Sequence, residues 1–216
     1  SSKTNDTFKN GLNKYFMCNF LKVDNLNKLI TEIKINNEIP DILINNAAVD
    51  YVPTSNTKNN NGMDLSNFDN VINVNIKAPL ILSKYFIEFW RSKGIFGNII
   101  NLSSIYSSVS PDPSLYQSGF IKNILYGMSK SGLNSITKQL AVITAKDKIR
   151  INAVLFAGVE SSLHNPDFVK KYKKRIPIGR FMKIKEIVEP ILFLISDENT
   201  YMTGTLLKVD GGYTSI

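Results

Sequence analysis

Hydrophobic and polar positions along the chain follow two patterns that alternate. Continuous apolar runs occur at 41–45, 97–104, 150–157 and 205–209. Because a strand covered on both faces of a sheet shows no polar alternation, we interpret these runs as buried strands. The stretch 15–21 has the same apolar character and predicts a fifth strand ahead of the others.

Between these runs, apolar residues recur at helical spacing. Asp24 is a predicted N-cap, and Ser66 followed by Asp69 indicates another helix start before Asn75. Strands that alternate with helices predict the α/β class, with a doubly wound, Rossmann-like parallel sheet. Further helices are predicted at 78–92, 126–146 and 187–195.

The chain is long enough to form one hydrophobic core. Its 216 residues are 43% hydrophobic and show no division into comparable halves, so a single domain over 1–216 is predicted. The longest apolar runs, such as 191–195, fall far below the roughly 18 residues of a membrane span, and we expect a cytoplasmic protein without a membrane partner. One cysteine, Cys18, and one histidine, His164, supply neither an intrachain disulfide nor the usual zinc ligands, so no metal site is predicted.

The chain is basic, with a net charge of +8 and a pI near 9.4. Nucleic-acid binding is one interpretation, but 22 of the 26 basic residues are lysine and the chain is also rich in Asn and Ile, a bias that needs no ligand. We therefore predict no nucleic-acid partner. An interpretation between these two is a basic entrance to a binding site, which would attract phosphorylated or nucleotide-linked substrates. The densest basic group is Lys170, Lys171, Lys173, Lys174 and Arg175.

Candidate chemistry centres on Tyr126 and Lys130, which lie four residues apart on one predicted helix and so face the same way. A free phenol has a pKa near ~10, too high for ready proton exchange at neutral pH. A nearby ammonium group stabilises the phenolate, and a pKa lowered by about 2 to 3 units would make Tyr126 a general acid and base for a carbonyl and alcohol pair. The spacing alone favours a plainer interpretation, a surface lysine beside a half-buried tyrosine.

Other motifs accompany this pair in a definite order. They are NNAA at 45–48, Asn75, Ser103-Ser104, Tyr126 with Lys130, Ala157-Gly158 and VDGG at 209–212. In this order and with these separations the chain resembles the short-chain dehydrogenase/reductase superfamily over nearly its whole length. It looks most like bacterial oxidoreductases of surface-sugar and flagellin-modification pathways, which carry a similar SSIY…P…Y…Y…K stretch.

The resemblance implies an NAD(P)-dependent oxidoreductase. Tyr126 would be the general acid and base, Lys130 would tune it and bind the nicotinamide ribose, and Ser104 would hydrogen-bond the substrate oxygen. Asn75 would steady a water that links Lys130 to solvent. Taken singly, a strand-end cap is the favoured interpretation of Ser104 and a hydrogen bonder at a helix junction that of Asn75, whereas the residues together, in this order, favour the catalytic interpretation. The implied catalytic residues are Asn75, Ser104, Tyr126 and Lys130, and the implied contacts to NAD or NADP are Asn19, Asn46, Ala47, Ala48, Tyr126, Lys130, Gly158 and Ser162.

Several positions depart from the family pattern. Asn19 stands where the family usually has an Asp that touches the adenine ring, and Ala48 stands where the NNAA turn usually ends in Gly. Ala157 replaces the usual Pro, which removes a fixed φ angle ahead of Gly158. No first strand with a glycine-rich, pyrophosphate-binding turn is present in the sequence, so we expect an N-terminally truncated domain of a longer protein. The choice between NAD and NADP stays open for the same reason.

The segment between Ser104 and Tyr126 is longer than is common in the family, with 22 residues of separation. Two prolines stiffen it, while aromatic rings and an amide suit a polyhydroxylated ring better than a long acyl chain. Covering a hydrophobic edge is an equal interpretation of these residue types. With the resemblance, the predicted substrate is a small molecule, a sugar or nucleotide-sugar of surface-glycan biosynthesis. The residues concerned are Pro111, Pro113, Tyr116, Gln117 and Phe120.

Two alternative functions stay open. A 3-oxoacyl-carrier-protein reductase would use the same residues on an acyl substrate, and a non-catalytic truncated relative would retain only an interaction surface. Helices at 78–92 and 126–146 form subunit interfaces in related enzymes, and the YFIEFW segment at 85–90 is more apolar than one protected face requires. We therefore expect a homodimer or homotetramer when the protein is complete.

Overall fold

A sheet of four parallel strands in the order β1-β2-β3-β4 runs through the part of the chain that the structure describes. That structure is a computed structural model, which describes residues 14–36, 40–51, 62–116, 120–162 and 164–216. The strands are β1 (Ile42–Asn45), β2 (Asn98–Ser104), β3 (Arg150–Phe156) and β4 (Leu206–Val209). The helices are α1 (Val23–Asn36), α2 (Phe68–Ile72), α3 (Ala78–Lys93), α4 (Ile124–Thr144), α5 (Pro166–Arg175) and α6 (Val188–Ile195).

The α/β class with a Rossmann-like parallel sheet is confirmed, and four of the five predicted strands lie within one residue of their predicted bounds. The register aligns Ser104 at the end of β2 with Phe156 of β3, and Phe156 with Val209 of β4. The carboxyl ends of three strands therefore meet at one edge, where open α/β sheets bind ligands.

The prediction of a strand at 15–21 is wrong. Residues 14–22 contain no strand, and the side chains of Tyr15 and Met17 are largely exposed. Cys18 and Phe20 instead pack against the cluster formed by α1 and α3. The apolar character of this stretch therefore reflects packing against helices. A strand would also need a neighbouring strand as partner for its backbone hydrogen bonds.

Helices cover both faces of the sheet. In β2, Ile99 packs with side chains of α3 and α4, whereas the next residue, Ile100, packs with Leu194 of α6. Because successive residues of a strand point to opposite faces, this arrangement explains why the strand patterns are continuously apolar. None of the helices in the described ranges is long and apolar enough to cross a membrane.

The helix that carries Asn75 is continuous from α2 into α3 and contains a π-helical turn at Asn73–Lys77. The sequence pattern predicts a helix start near Ser66 and a separate second helix, so the continuity is a correction. Pro79 has no N–H to give to the carbonyl of Asn75, its α-helical acceptor, and such a missing bond is a usual cause of local widening. The start of α1 at Val23 likewise places Asp24 in the first turn rather than at the N-cap.

A buried polar chain joins β1, β2 and α4. Asn45 Nδ2 donates to Asn101 Oδ1 at 2.8 Å, and Asn101 Nδ2 donates to Thr137 Oγ1 at 2.8 Å. Each of these side chains is buried, so their mutual hydrogen bonds replace those lost to water. The network fixes α4, which carries Tyr126 and Lys130, against the sheet.

Candidate active site

A cavity of about 1190 Å³ opens at the carboxyl ends of β2 and β3. Ser104, the last residue of β2, and Tyr126, in the first turn of α4, both line it. The Asn123 side chain accepts a hydrogen bond from Leu125 N at 2.8 Å and so caps α4 just before Tyr126. The walls come from the segment between β2 and α4, from the loop after β3 and from α5.

The Tyr126 hydroxyl lies in a poorly solvated position. The pKa of Tyr126 is raised to about 12, first by burial and then by the Asp50 carboxylate, while a hydrogen bond with the Ser104 side chain works in the opposite direction. The prediction from sequence that this pKa is lowered is wrong for this structure, because burial has the largest effect and raises it. At neutral pH Tyr126 is therefore a phenol, the proton-donating form.

Lys130 is 3% exposed and lies beside Tyr126, with Nζ 5.7 Å from the centre of the tyrosine ring. Its Nζ donates to the Leu102 carbonyl at 2.7 Å. Burial lowers the pKa of Lys130 to about 8, and Asp50 partly opposes this change. The ammonium form still predominates at pH 7, so a positive charge is retained next to Tyr126.

Asn75 is fully buried and holds two segments of the site together. Its Oδ1 accepts from Val49 N at 2.8 Å, and its Nδ2 donates to Val49 O at 3.0 Å and to Ser129 Oγ at 2.9 Å. Val49 precedes Asp50, and Ser129 precedes Lys130. The side chain of Asn75 therefore positions both charged neighbours of Tyr126 without lining the cavity itself.

The other residues that the resemblance implies for the cofactor lie in three places. Asn46, Ala47 and Ala48 form an exposed segment directly after β1. Asn19 is exposed in the turn before α1, where its Oδ1 accepts from Leu21 N at 3.0 Å. Gly158 lines the cavity, whereas Ser162 is exposed and does not; its neighbour Ser161 does.

Two features of the site were missed by sequence reasoning. Lys122 Nζ forms an ion pair with Asp50 at 2.5 Å and lies 5.0 Å from the centre of the Tyr126 ring. The Tyr172 hydroxyl, from α5, accepts a hydrogen bond from Gly158 N at 2.9 Å and so holds the loop after β3. Neither pair gives a local signal, because the partners are 72 and 14 residues apart in the chain.

The long segment after β2 packs against α5. Tyr116 stacks on Phe168 at 5.3 Å and contacts Phe120 at 4.8 Å between ring centres. Its hydroxyl lies 3.3 Å from that of Tyr106. Gln117, the amide predicted to take part, lies outside the described residues. The segment thus lines the cavity and also covers an apolar edge.

A comparison with protein families decides the relationship of the chain. A family model described as enoyl-(acyl carrier protein) reductase matches residues 2–214. The chain belongs to the short-chain dehydrogenase/reductase superfamily. Within this oxidoreductase superfamily, the Tyr126 and Lys130 pair on α4 and Ser104 at the end of β2 occupy the positions that the motif order predicts.

Three curated members of the superfamily illustrate its range. The chain is 36% identical over 185 residues to an uncharacterized oxidoreductase of Thermotoga maritima, a match that covers 82% of this chain and 68% of the relative. It is 32% identical over 178 residues to an L-xylulose reductase of Bos taurus, with coverage of 80% and 67%. It is 36% identical over 197 residues to a 7alpha-hydroxysteroid dehydrogenase of Paraclostridium sordellii, with coverage of 88% and 69%.

Solved structures of the superfamily share the fold. A short-chain dehydrogenase of Leptospira borgpetersenii with bound NAD+ superimposes with a TM-score of 0.86 at 28% identity, over 99% of this chain and 80% of that one. ElxO with NADP bound superimposes with a TM-score of 0.76 at 25% identity, over 94% of this chain and 79% of that one.

Proposed function

We propose that this chain acts as an NAD(P)-dependent oxidoreductase that interconverts a secondary alcohol and a ketone. The observation that carries the proposal is that Ser104 and Tyr126 line one cavity, with the Lys130 ammonium group beside the Tyr126 ring. Two hydroxyl groups in this arrangement can hold one substrate oxygen. The related structures with NAD+ and with NADP support this class of cofactor without favouring either form.

The residues around Tyr126 fit the nicotinamide half of such a cofactor. The Lys130 ammonium group has three N–H donors and, among the described residues, one hydrogen-bond acceptor, the Leu102 carbonyl. Its remaining donors suit the ribose hydroxyl groups. Gly158 at the cavity wall and the exposed segment after β1 would flank the same molecule. When bound, the nicotinamide supplies or accepts the hydride.

The chain's own residues then move one proton. In ketone reduction the Tyr126 hydroxyl donates its proton to the substrate oxygen as the carbonyl carbon gains a hydride, while the Ser104 hydroxyl donates a hydrogen bond to that oxygen. In alcohol oxidation the Tyr126 phenolate takes the proton back. Because the pKa of Tyr126 is about 12, the acid needed for reduction is present at neutral pH, and oxidation should accelerate as the pH rises.

The substrate we propose is a sugar or nucleotide-sugar of surface-glycan biosynthesis. The stacked rings of Tyr116 and Phe168 in the cavity wall suit the face of a sugar ring or a nucleobase, and the relative named L-xylulose reductase is a further support. The description of the matching family model favours the runner-up, an acyl-carrier-protein substrate. A cofactor-oxidation screen separates them: turnover of acetoacetyl thioesters with no response to sugars, sugar phosphates or nucleotide-sugars would reject the sugar.

The decisive experiment is Tyr126→Phe in the protein expressed from its complete reading frame. Loss of the phenolic proton should lower kcat by a factor of about 10² or more while leaving cofactor affinity within a few-fold. Tyr201→Phe is a matched control, since that tyrosine is 99% exposed and outside the cavity. Retained turnover in Tyr126→Phe would reject the assigned acid and base, whereas absence of turnover in the unsubstituted protein would favour the non-catalytic interaction module.

We also propose a homodimer or homotetramer, but the structure supports it with side chains other than the YFIEFW segment from which the sequence predicts it. Tyr85, Phe86 and Trp90 of the YFIEFW segment are buried in the chain's own core, so their apolar character needs no partner. On α4, however, Val142 is 80% exposed and Ile143 is 61% exposed. A monomeric mass by light scattering at micromolar concentration would contradict the proposal. The cytoplasmic location stays a prediction from composition.

A further inference from the structure

We propose that Lys170 and Lys174 of α5 form an anion subsite in the wall of the active-site cavity, which takes a phosphate group of the substrate. The inference rests on the proposed oxidoreductase function and narrows its substrate to a phosphate ester of a sugar. The phosphate can belong to a sugar monophosphate or to a nucleoside diphosphate sugar.

The first support is the position of the two lysines. They lie four residues apart and therefore share one face of α5. That face lines the same cavity as Ser104 and Tyr126, whereas Lys173 of the same helix does not line it. Tyr172, on the inner side of α5, is 2% exposed and anchors the helix against the body of the protein.

The second support is that the neighbouring cations are already engaged. Lys171 Nζ donates to the carbonyls of Ser114 at 2.9 Å and of Tyr116 at 3.4 Å. Arg175 forms an ion pair with Asp112. These contacts fasten α5 to the segment after β2, so the helix presents its cavity face in a defined position. In the described part of the chain, neither Lys170 nor Lys174 has an ion-pair partner.

The charges around the cavity leave a positive excess at this wall. Among the described residues three carboxylates line the cavity, and the Asp50 carboxylate is paired with Lys122. The other two, Glu160 and Asp167, line it together with three lysines of α5, which include Lys171. The ammonium groups of Lys170 and Lys174, one helical turn apart, repel each other, and a bound dianion would attract both.

The chemistry and the space both suit a phosphate ester. A lysine ammonium group binds phosphate as a point charge, and two of them one turn apart match a group that carries close to two negative charges. The aromatic pair Tyr116 and Phe168 lines the same cavity. A cavity of about 1190 Å³ exceeds the roughly 300–1,000 Å³ usual for small ligands, so there is room for a cofactor ring and a substrate with a charged extension.

The test is calorimetric binding to the full protein saturated with NADH or NADPH, whichever binds. The probes are glucose, glucose 6-phosphate and UDP-glucose. At least one phosphate-bearing probe should bind about tenfold or more tightly than glucose. The double variant Lys170→Gln/Lys174→Gln should lose that advantage and leave glucose binding unchanged, and Lys173→Gln is the matched control on the same helix. Which of the two phosphate probes binds more tightly identifies the source of the phosphate.

Two results would overturn the subsite. One is equal affinity of the unsubstituted protein for glucose and for both phosphate-bearing probes. The other is an equal loss in Lys173→Gln and in the double variant, which would mean that general surface charge is responsible. Binding needs no turnover, so a failed subsite is distinguishable from a failed catalytic assignment, which appears as retained turnover in Tyr126→Phe.

Discussion

Asp50 is the carboxylate whose removal should change the chemistry of Tyr126 most directly. Its Oδ2 lies 2.5 Å from Lys122 Nζ, which in turn lies 5.0 Å from the centre of the Tyr126 ring. The two distances together place the carboxylate within about 7.5 Å of that ring. The negative charge of Asp50 opposes formation of the phenolate and raises the pKa of Tyr126.

The size of the effect follows from Coulomb's law. With the phenolate charge placed at the ring centre and this upper limit of ~7.5 Å taken as the separation, two unit charges at an effective dielectric constant of ~20 interact by about 2 kcal/mol, or roughly 1.6 pKa units. The Asp50 side chain is 32% exposed and paired with Lys122, so solvent and the ion pair reduce the interaction, and about one pKa unit remains. In Asp50→Asn the pKa of Tyr126 should therefore fall by about one unit.

The assay is the pH dependence of kcat/KM for alcohol oxidation, which uses the phenolate. A lower pKa moves the rising limb of this profile to lower pH by about one unit in Asp50→Asn. Lys122→Gln leaves the carboxylate without its counter-ion and should move the limb to higher pH. Asp147→Asn is the control, because Asp147 pairs with Arg91 outside the cavity. An unchanged limb in Asp50→Asn, or shifts of the same sign in both variants, would refute the electrostatic account.

Two predictions concern stability and are checked by urea denaturation. Tyr172→Phe keeps the stacked ring but removes the hydroxyl that accepts a hydrogen bond from Gly158 N, so it should lower the free energy of unfolding by about 1–2 kcal/mol. An unchanged denaturation midpoint would mean that Gly158 N finds another acceptor. Gly97→Ala places a Cβ 2.0 Å from the fully buried Trp90 ring and should cost about 3 kcal/mol. Gly94→Ala is its control, since Gly94 has a φ of +66° but a Cβ added there has no neighbouring atom within 4 Å. The steric explanation fails if Gly94→Ala lowers the free energy of unfolding by as much as Gly97→Ala.

The parts of the fold that sequence predicts are those set by local patterns. Strands β2 and β3 are predicted because each is covered on both faces, and α4 because its apolar residues recur at helical spacing. The shorter apolar runs of β1 and β4 are enough to predict these strands although Ile44 and Lys208 are exposed. The stretch 15–21 failed because an apolar segment can pack on helices as well as pair in a sheet. No local pattern distinguishes these two environments.

The candidate site likewise has features that local spacing predicts and features that it does not. The spacing of Tyr126 and Lys130 predicts that they face the same way on α4, and the 5.7 Å between Lys130 Nζ and the centre of the Tyr126 ring confirms it. Spacing does not predict burial, and burial decides the direction in which the pKa of Tyr126 moves. The Asp50 and Lys122 pair was missed because 72 residues separate its members, and only the packed fold brings them to the same ring.

Asn75 shows how these long-range contacts act together. Its amide group binds the backbone of Val49, 26 residues away, and the hydroxyl of Ser129, 54 residues away. The next residues in the chain are Asp50, whose carboxylate raises the pKa of Tyr126, and Lys130, whose ammonium group lies beside the Tyr126 ring. One buried side chain thus sets the distance between a carboxylate after β1 and an ammonium group on α4. Displacement of the segment after β1 would move Asp50 and so alter the pKa of Tyr126 without any change to the residues proposed to touch the substrate.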